Sequence, residues 1–471
     1  MIYFFRPYNK TISTKILEIA RPLIFTNISR VTMGIVDMMM VGRISKESIA
    51  AVGFSEAVQW IFIAAFGIST MIASQAIISR KFGESQYSQC VDALYCGQFI
   101  SIITGVPISF LGYLYSDRIL ILIVDDPQIL DLSIQYSKII FIGIYFTVSS
   151  FAFRAFFTGV QKTQIYFKVI LITNIINAYL NLGLIFGSDY ISHYCFLNDI
   201  PFIGNFWSLY HFPSMGIRGA ALGTVISSGI GMVLYLSYLF HSSLKEKFSY
   251  YPMRINIPIL KRHIELLLPI SVTEASHLIG WAIMLKIVGT LGTVSLAAMQ
   301  IAHRVNHSSF MPAVGVGQAC ASLVGYYIGK GKTSVIAIVL KDSFRLAILI
   351  MGSIGLSFIV FPDVIIRMFS SDIQVINTAI PLIRFCGFMS IGEAVGIVMF
   401  SVLEGSGDTK FVSFVGITEM WVVFIPLCYL FIIVLGLGVW GAFYAWAIQL
   451  GYVIVSTYLR INANNWKNIS I

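Results

Sequence analysis

Charged residues are scarce in this sequence. Asp, Glu, Lys and Arg make up 11% of its 471 residues, whereas a soluble domain carries about 25%, and the mean hydropathy is +0.83. This scarcity excludes an ordinary soluble domain. Long apolar runs occupy most of the chain, and about 20 such residues cross a bilayer as a helix. The sequence contains twelve such candidate spans: 17–40, 49–78, 91–115, 132–157, 165–187, 217–240, 264–290, 294–328, 338–361, 376–403, 411–434 and 438–459.

Two patterns typical of other classes are also missing. The two-residue alternation of a membrane β-barrel does not occur, and no small-residue cleavage site follows a short apolar core at the N-terminus. We therefore predict an all-α polytopic membrane protein with twelve transmembrane helices. Span 294–328 is longer than a bilayer requires, so we expect it to include some loop.

Motifs for catalysis, metal binding and disulfides are absent as well. The six cysteines are scattered and form no C-x-x-C, and no paired nucleophile and base occurs. His303 and His307 are four residues apart but lack an H-E-x-x-H, so we interpret them as interhelical hydrogen-bonding residues. The stretch EGSGDTK (404–410) lacks the spacing of a phosphate loop, and we place it in a cytoplasmic turn. We expect no enzyme and no cofactor.

Basic residues are present in excess, with a net charge of +9. Lys and Arg concentrate before the first span and in alternate connections, above all in 245–262 and 330–345. This asymmetry follows the positive-inside rule and places both termini in the cytoplasm. The excess therefore orients the protein in a lipid bilayer, and we expect no nucleic-acid partner.

The two halves of the chain repeat each other at a nearly constant offset. Pro22, Val41-Gly42 and Ala50-Ala51 recur as Pro269, Val288-Gly289 and Ala297-Ala298. Six spans per half is an even number, so both halves enter the membrane in the same orientation. We predict an N-lobe (1–240, helices 1–6), a cytoplasmic linker (241–262) and a C-lobe (263–471, helices 7–12), related by a pseudo-two-fold axis along the membrane normal. Some secondary transporters have this design, with alternating access to a site between the lobes.

One acid interrupts the first span, Asp37 in TMGIVDMMMVG (32–42). A carboxylate at the centre of a membrane helix costs about 2.5–3.5 kcal/mol on the insertion scale, and such residues indicate function. Asn174, Asn177 and Asn181 have the i, i+3, i+7 spacing of one helix face. A carboxylate with amide oxygens suits a hard cation such as Na⁺. The alternative is that the asparagines only bond neighbouring helices.

Arg30 lies two turns before Asp37 on the same helix face, about 10 Å away. Its side chain could reach the acid, hold it ionised and oppose cation binding. Alternatively, Arg30 snorkels or faces a polar crevice.

The second half carries Glu274, Glu393 and Glu419 within predicted spans. Met284, which occupies the position of Asp37 in the repeat, is not acidic, so the lobes are not equivalent. Our hypothesis is ion coupling in the first lobe and acid-assisted substrate contact in the second. We interpret three further ionisable residues as members of ion pairs inside the protein: Glu56, Lys286 and Arg304.

The ordered motifs resemble the multidrug and toxic compound extrusion (MATE) family over residues 15–460. They are Pro22 before Asp37, FTGVQKT before NAYLNLGLIFG (177–187), GIRGAALGT (216–224), and SLAAMQIAHRVNHSSFMPAVGVGQACASLVGYYIGKG (295–331). The resemblance implies an antiporter that expels small organic, often cationic, compounds in exchange for H⁺ or Na⁺. A monomer in the bacterial inner (cytoplasmic) membrane is then expected.

The resemblance also implies site residues. It places a cation-coupling site at Asp37, Asn177, Asn181 and Thr224, and no metal beyond Na⁺ at the first three. It favours Glu393 over Glu274 as the acid of the second lobe. One alternative is a flippase for lipid-linked precursors, whose cavity would have to be strongly cationic to hold a pyrophosphate.

Overall fold

The computed structural model describes residues 7–197, 211–240, 246, 248 and 254–469, and in this part of the chain the secondary structure is helical without strands. Twelve long helices follow one another, as the sequence predicts. Their bounds are α1 Lys10–Gly42, α2 Lys46–Gly83, α3 Tyr87–Ile121, α4 Pro127–Gly159, α5 Thr163–Phe186, α6 Ile217–Leu239, α7 Ile257–Gly289, α8 Thr293–Gly329, α9 Thr333–Val360, α10 Ile373–Ser406, α11 Thr409–Val434 and α12 Trp440–Asn462.

Eleven of these helices in the described residues are long and apolar enough to cross a membrane. The remaining one, α8, is a single helix of 37 residues, so the expected loop within 294–328 was wrong. Its first half carries a polar stretch, QIAHRVNH (300–307), which lowers its apolar character. The backbone groups of a helix are hydrogen-bonded within the helix itself. A continuous helix with a polar face can therefore lie at membrane depth.

Two connections differ in detail from the prediction. The connection between α5 and α6 begins with a short helix, Ser188–Leu197, and Ser188 Oγ accepts a hydrogen bond from the Phe212 amide at 2.9 Å. Residues 198–210 lie outside the described residues. The same is true of half of the predicted linker, and α7 already begins at Ile257, so the last six linker positions are helical.

Within each half the helices pack in the order that the repeat implies. In the first half α4 packs on α3 and α6, and α5 packs on α1 and α6; in the second half α10 packs on α8, α9 and α12. Pro22 and Pro269 lie inside α1 and α7. One turn later the Thr26 and Thr273 hydroxyls donate to the carbonyls of these prolines, at 2.7 and 3.1 Å. The duplication therefore extends to side-chain hydrogen bonds.

The two halves meet closely at the end of the bundle that holds α1's N-terminus and α12's C-terminus, here called the closed end. There α2 and α8 approach backbone to backbone. A Cβ on Gly83 would lie 2.1 Å from the Tyr326 carbonyl oxygen, and one on Gly329 would lie 2.1 Å from the Arg80 carbonyl oxygen. Small residues permit such close helix contacts in membranes.

Polar groups also connect the halves at the closed end. Asp342 of α9 accepts hydrogen bonds from the backbone amides of Tyr8 and Asn9, at 3.0 and 3.3 Å. Arg345 donates to Ser13 Oγ at 2.7 Å. A carboxylate of the second half thus binds the free amides that precede α1 in the first half, where the helix dipole favours negative charge.

Candidate cation and substrate sites

Asp37 lies half-buried on α1 and faces the asparagines of α5. Asn181 Nδ2 donates a hydrogen bond to Asp37 Oδ1 at 2.8 Å. The Asn177 amide satisfies both of its ends when its nitrogen donates to Asp37 Oδ1 at 3.3 Å and its oxygen accepts from the Thr224 backbone amide at 3.3 Å. Both asparagines are buried, 6% and 1% exposed for Asn177 and Asn181. The structure therefore brings together the four residues of the predicted cation site.

Helix α6 leaves room for this group because it carries a glycine opposite α5. A Cβ on Gly223 would lie 2.0 Å from Asn181 Oδ1, so any side chain there would displace the amide. The next residue, Thr224, places its hydroxyl 3.5 Å from the Asn177 amide and donates it to the Ala220 carbonyl at 3.0 Å. The sequence Gly223-Thr224 thus supplies both space and polar contact.

The other members of the predicted group point elsewhere. Asn174 Nδ2 donates to Ser29 Oγ at 2.8 Å, so it ties α5 to α1 without touching Asp37. No ion pair joins Arg30 to Asp37 among residues 7–197. The charge of Arg30 interacts instead with Tyr166, Arg154 and Tyr235. Arg30 lines the same cavity as Asp37, and its influence on that acid stays a prediction.

Asp37 and Arg30 line one cavity of about 630 Å³, here called the N-lobe cavity. It is large enough for a drug-sized ligand, since such pockets measure about 300–1,000 Å³. Arg304 of α8 also lines it, so the second half contributes to its wall. Its other charged or potentially charged wall residues are Glu56, Arg154 and Tyr235.

Two further cavities share Glu393 of α10. The first, about 430 Å³, lies between the halves and contacts Gln75 of α2 and Gln318 of α8. The second, about 390 Å³, lies within the second half and contacts Asn306 and Trp446. Asn306 Nδ2 donates to Glu393 Oε1 at 2.9 Å, while Glu393 Oε2 has no partner in the described part of the chain. Glu393 therefore contributes to the walls of both cavities and has one buried carboxylate oxygen without a hydrogen-bond partner in the described part of the chain.

Acids other than Glu393 occupy the second half. Glu419 and Glu404 also line the cavity between the halves, and His277 Nε2 lies 3.2 Å from Glu419 Oε1. Glu274 is one turn from His277, whose charge acts on it, but it does not line any of the three cavities described above. The structure thus places Glu393, and not Glu274, at a cavity wall.

The two histidines of α8 pack as aromatic rings. His303 stacks on Trp281 with ring centroids 3.8 Å apart, and His307 contacts Phe310 at 4.8 Å. Among the described residues no group of three or more His, Cys, Asp or Glu side chains is placed to hold a metal ion. The five cysteines whose side chains are described are buried and form no disulfide with one another.

A family model described as MatE matches this chain twice, over residues 22–182 and 269–430. The chain belongs to the MatE family. Each match begins at one of the two repeated prolines, Pro22 and Pro269, so the family pattern itself is present in both halves. The resemblance inferred from the sequence motifs is confirmed, and with it the protein is an integral membrane protein of the two-lobe MATE fold.

Curated relatives have names that refer to drug resistance. The "Probable multidrug resistance protein NorM" of Thermotoga maritima is 24% identical over 456 residues, which are 96% of this chain and 91% of that protein. The "Multidrug resistance protein MdtK" of Edwardsiella ictaluri is 23% identical over 424 residues, covering 88% and 86%.

Solved MATE structures share the fold. A multidrug resistance MATE family transporter of the MOP superfamily in its outward-facing conformation superposes with a TM-score of 0.84 at 17% identity and 97% coverage of both chains. A MOP superfamily transporter from Pyrococcus furiosus, described as having a binding pocket of reverse polarity, gives a TM-score of 0.85 at 18% identity and the same coverage.

Two residues that line cavities of this MATE chain were not predicted from the sequence to be site residues. Arg154 lies near the end of the predicted span 132–157 and was given no site role, but it lines the N-lobe cavity from inside α4. Glu404 was assigned to a turn, but α10 extends to Ser406 and Glu404 lines the cavity between the halves. Both residues are charged and lie within one or two turns of the end of an apolar span. A charged residue at such a position can belong either to the helix or to the adjoining connection, and this is the signal that could have identified them.

Proposed function

We propose that this MATE protein is an antiporter that exports small organic, cationic compounds in exchange for H⁺ or Na⁺. One observation carries the proposal: Asp37, inside a membrane-embedded cavity, accepts a hydrogen bond from Asn181 at 2.8 Å and is not neutralised by Arg30. An intramembrane carboxylate without a fixed cationic partner attracts a mobile cation. The drug-resistance names of the relatives support the same activity.

The contacts of Asp37 are compatible with either coupling ion. An asparagine amide offers its nitrogen or its oxygen to the same neighbour after a half-turn of its last torsion. With nitrogens inward, Asn177 and Asn181 stabilise the empty carboxylate. With oxygens inward, they complete a ligand set for Na⁺ or accept a hydrogen bond from the protonated carboxylic acid. Arrival of the ion therefore rearranges the contact between α1 and α5.

In the second half we assign substrate contact to Glu393. Glu393 lines two of the cavities, and its Oε2 is buried without a hydrogen-bond partner in the described part of the chain. Trp446 and Phe310 line both of these cavities. Aromatic faces and a carboxylate together attract organic cations. Glu274 is a weaker candidate because it lies away from these walls.

Alternating access follows from the two lobes, which we keep at 1–240 and 263–471. The close contacts at the closed end and the cavities beyond it correspond to one of the two access states. We place the closed end in the cytoplasm, with both termini, on the distribution of basic residues. The flippase alternative is less favoured, because the walls of the two cavities at Glu393 contain acids and neither Lys nor Arg, so they would repel a pyrophosphate.

Reconstitution in liposomes tests the proposal. A Na⁺ gradient or a proton gradient is imposed separately, and the efflux of ethidium, a permanent organic cation, is followed by fluorescence. We expect one gradient to drive efflux and Asp37→Asn to abolish the driven component. The matched control is Asp363→Asn, an exposed carboxylate whose ion-pair partner in the described part of the chain is Arg367, one turn away. Full-rate efflux by Asp37→Asn under both gradients would contradict the coupling role.

A further inference from the structure

The chain that follows α12 turns back onto the closed end. Asn464 adopts a left-handed backbone with a φ of 59°, a conformation that asparagine tolerates better than most residues, and a single 3₁₀ turn, Asn465–Asn468, comes next. Trp466 Nε1 donates to the Ile461 carbonyl at 2.9 Å, which fixes this turn against the last turn of α12. Residues 463–469 are here called the return segment.

One side chain of the return segment enters the apolar core. Trp466 is 2% exposed and belongs to an apolar cluster that includes Ile77 of α2 and Leu403 of α10. Ile469 packs, half-buried, against the same cluster. The cluster is shared by the two halves, so a segment that completes it favours the arrangement in which the halves are together.

A buried guanidinium group joins the return segment to the first half. Arg80 lies near the end of α2 and is 4% exposed. It donates to the Ile469 carbonyl of the return segment and, at 3.4 Å, to the Ser406 carbonyl at the end of α10. The carbonyl end of a helix carries partial negative charge, which favours a cation at Ser406. Both acceptors of this first-half arginine therefore belong to the second half.

Arg80 also lies at the closest approach of α2 and α8. A Cβ on Gly329 of α8 would lie 2.1 Å from the Arg80 carbonyl oxygen, so the backbone of Arg80 contacts α8 while its side chain reaches α10 and the return segment. Separation of α2 from α8 at this end would withdraw Arg80 from both carbonyls. An ionised group away from water needs such partners, and the return segment thus stabilises the contact between α2 and α8.

The return segment has little stability of its own. Its first three residues, 463–465, are exposed, and an isolated 3₁₀ turn is weakly hydrogen-bonded. Short elements with exposed backbone are the first to open in a native protein. The segment can therefore detach while the bundle stays folded, although its docked position crosses the boundary between the halves.

We propose that the return segment is a latch, which holds the closed end shut while Trp466 and the Ile469 carbonyl are docked and permits opening when they are released. Arg80 is the positioning residue through which the segment acts on the first half. The inference rests on the alternating access of the proposed function, but not on the coupling ion or the substrate.

Two substitutions at one exposed residue test the latch. Proline cannot adopt the left-handed backbone of Asn464, whereas glycine adopts it readily, and both remove the side chain that donates to the Asn462 carbonyl. We expect Asn464→Pro to release the segment and Asn464→Gly to keep it docked. Release is measured as faster amide hydrogen exchange in residues 463–469, by mass spectrometry of the purified protein in detergent.

Opening is measured on the same variants as the distance between spin labels at Gln86→Cys and Lys332→Cys, exposed positions on the two halves, in a background without native cysteines. Double electron–electron resonance should show the population of opened molecules rise at least about tenfold in Asn464→Pro, the size of one lost hydrogen bond to a charged group. The distribution should remain unchanged in Asn464→Gly.

A double-mutant cycle tests the role of Arg80. Trp466→Ala and Arg80→Gln should each open the closed end, and the double variant should open it less than the sum of the two effects predicts, because both act through one element. Additive effects would assign Arg80 to the end of α10 alone and overturn its link to the return segment.

Three results would overturn the latch: faster exchange in 463–469 with an unchanged distance distribution, equal opening in Asn464→Pro and Asn464→Gly, or no change of either measurement in Asn464→Pro and Trp466→Ala. Neither measurement uses a gradient or a substrate. A failed latch therefore leaves the antiport untouched, and a working latch in a protein without gradient-driven efflux contradicts the antiport alone.

Discussion

Three asparagines form a polar stripe on α5: Asn177 and Asn181 contact Asp37 and Asn174 does not, which permits a matched comparison. Asn181→Leu removes the donor to Asp37 Oδ1, whereas Asn174→Leu removes a donor to Ser29. A hydrogen bond to a charged group contributes about 1.5–3 kcal/mol. We therefore expect Asn181→Leu to reduce gradient-driven ethidium efflux about tenfold or more and Asn174→Leu to reduce it less than about threefold. Equal losses in the initial rates would show that the stripe acts only by packing.

The glycine that faces Asn181 gives a second prediction at this scale. Gly223→Ala places a methyl group 2.0 Å from Asn181 Oδ1, which forces the amide away from Asp37. We expect a loss of gradient-driven efflux comparable to that of Asn181→Leu, with expression retained. Gly229→Ala on the same helix meets its nearest atoms at 3.7 Å and is expected to transport normally. Normal coupling in Gly223→Ala would indicate that the Asn181 contact is dispensable.

The cation site could be predicted from the sequence because its signal is local. Asp37 is conspicuous in an apolar run, and the spacing of Asn177 and Asn181 places them on one face. Thr224 came from the family resemblance. The orientation of Arg30 could not be predicted, since a long side chain on the correct face reaches either the acid or the tyrosines, and the choice depends on residues distant in sequence. Asn306, the partner of Glu393, was missed for the same reason.

At the scale of helices, the approach of α2 to α8 depends on positions without side chains. Gly83→Ala places a Cβ 2.1 Å from the Tyr326 carbonyl oxygen, and because that atom belongs to the backbone, the helices must separate. Overpacking of this kind costs about 1–3 kcal/mol, so we expect a lower midpoint of thermal unfolding in detergent, measured by tryptophan fluorescence.

The control for this contact lies on α9. A Cβ on Gly352 meets no atom within 4 Å, and alanine is a better helix former than glycine by about 1 kcal/mol. Gly352→Ala should therefore leave the midpoint unchanged or raise it. A midpoint for Gly83→Ala at or above that of the unmodified protein would show that α2 and α8 do not need this approach.

Helix existence was predictable throughout, whereas helix ends and irregularities were not. The apolar runs predicted twelve helices, but the helices extend beyond the predicted spans. Backbone hydrogen bonding continues into the polar residues that flank each run. The π-helical segments Ile63–Ile68 and Glu419–Phe424 have no distinguishing composition. Segments of this kind occur frequently at functional sites, and the second begins at Glu419, on the wall of the cavity between the halves.

For the whole molecule, the sequence repeat predicted two similar halves, because matching residues recur in the same order in each half of the chain. The repeat does not predict which end of the bundle is closed, since it is compatible with either access state. The closed end depends on contacts between remote residues, such as Gln75 Nε2 with the Gln318 carbonyl at 3.0 Å and Ser322 Oγ with the Thr158 carbonyl at 2.8 Å.

Asp342 provides a direct test of this closure. Its carboxylate accepts from the amides of Tyr8 and Asn9 and is fully buried, so it fixes the start of α1 against the second half. Asp342→Asn keeps the shape but loses the charge and one of its two acceptor oxygens. Each charge-assisted bond contributes about 1.5–3 kcal/mol, so we expect the population of molecules opened at this end to rise about tenfold.

The measurement is the distance between spin labels at Gln86→Cys and Lys332→Cys, exposed positions on the first and second halves, in a background without native cysteines. Double electron–electron resonance should show a longer component that grows in Asp342→Asn. Asp363→Asn, whose exposed carboxylate contacts Arg367 on its own short helix, should leave the distribution unchanged. If Asp342→Asn leaves it unchanged too, the Tyr8 and Asn9 contacts do not hold the closed end, and the glycine contacts between α2 and α8 remain as its physical cause.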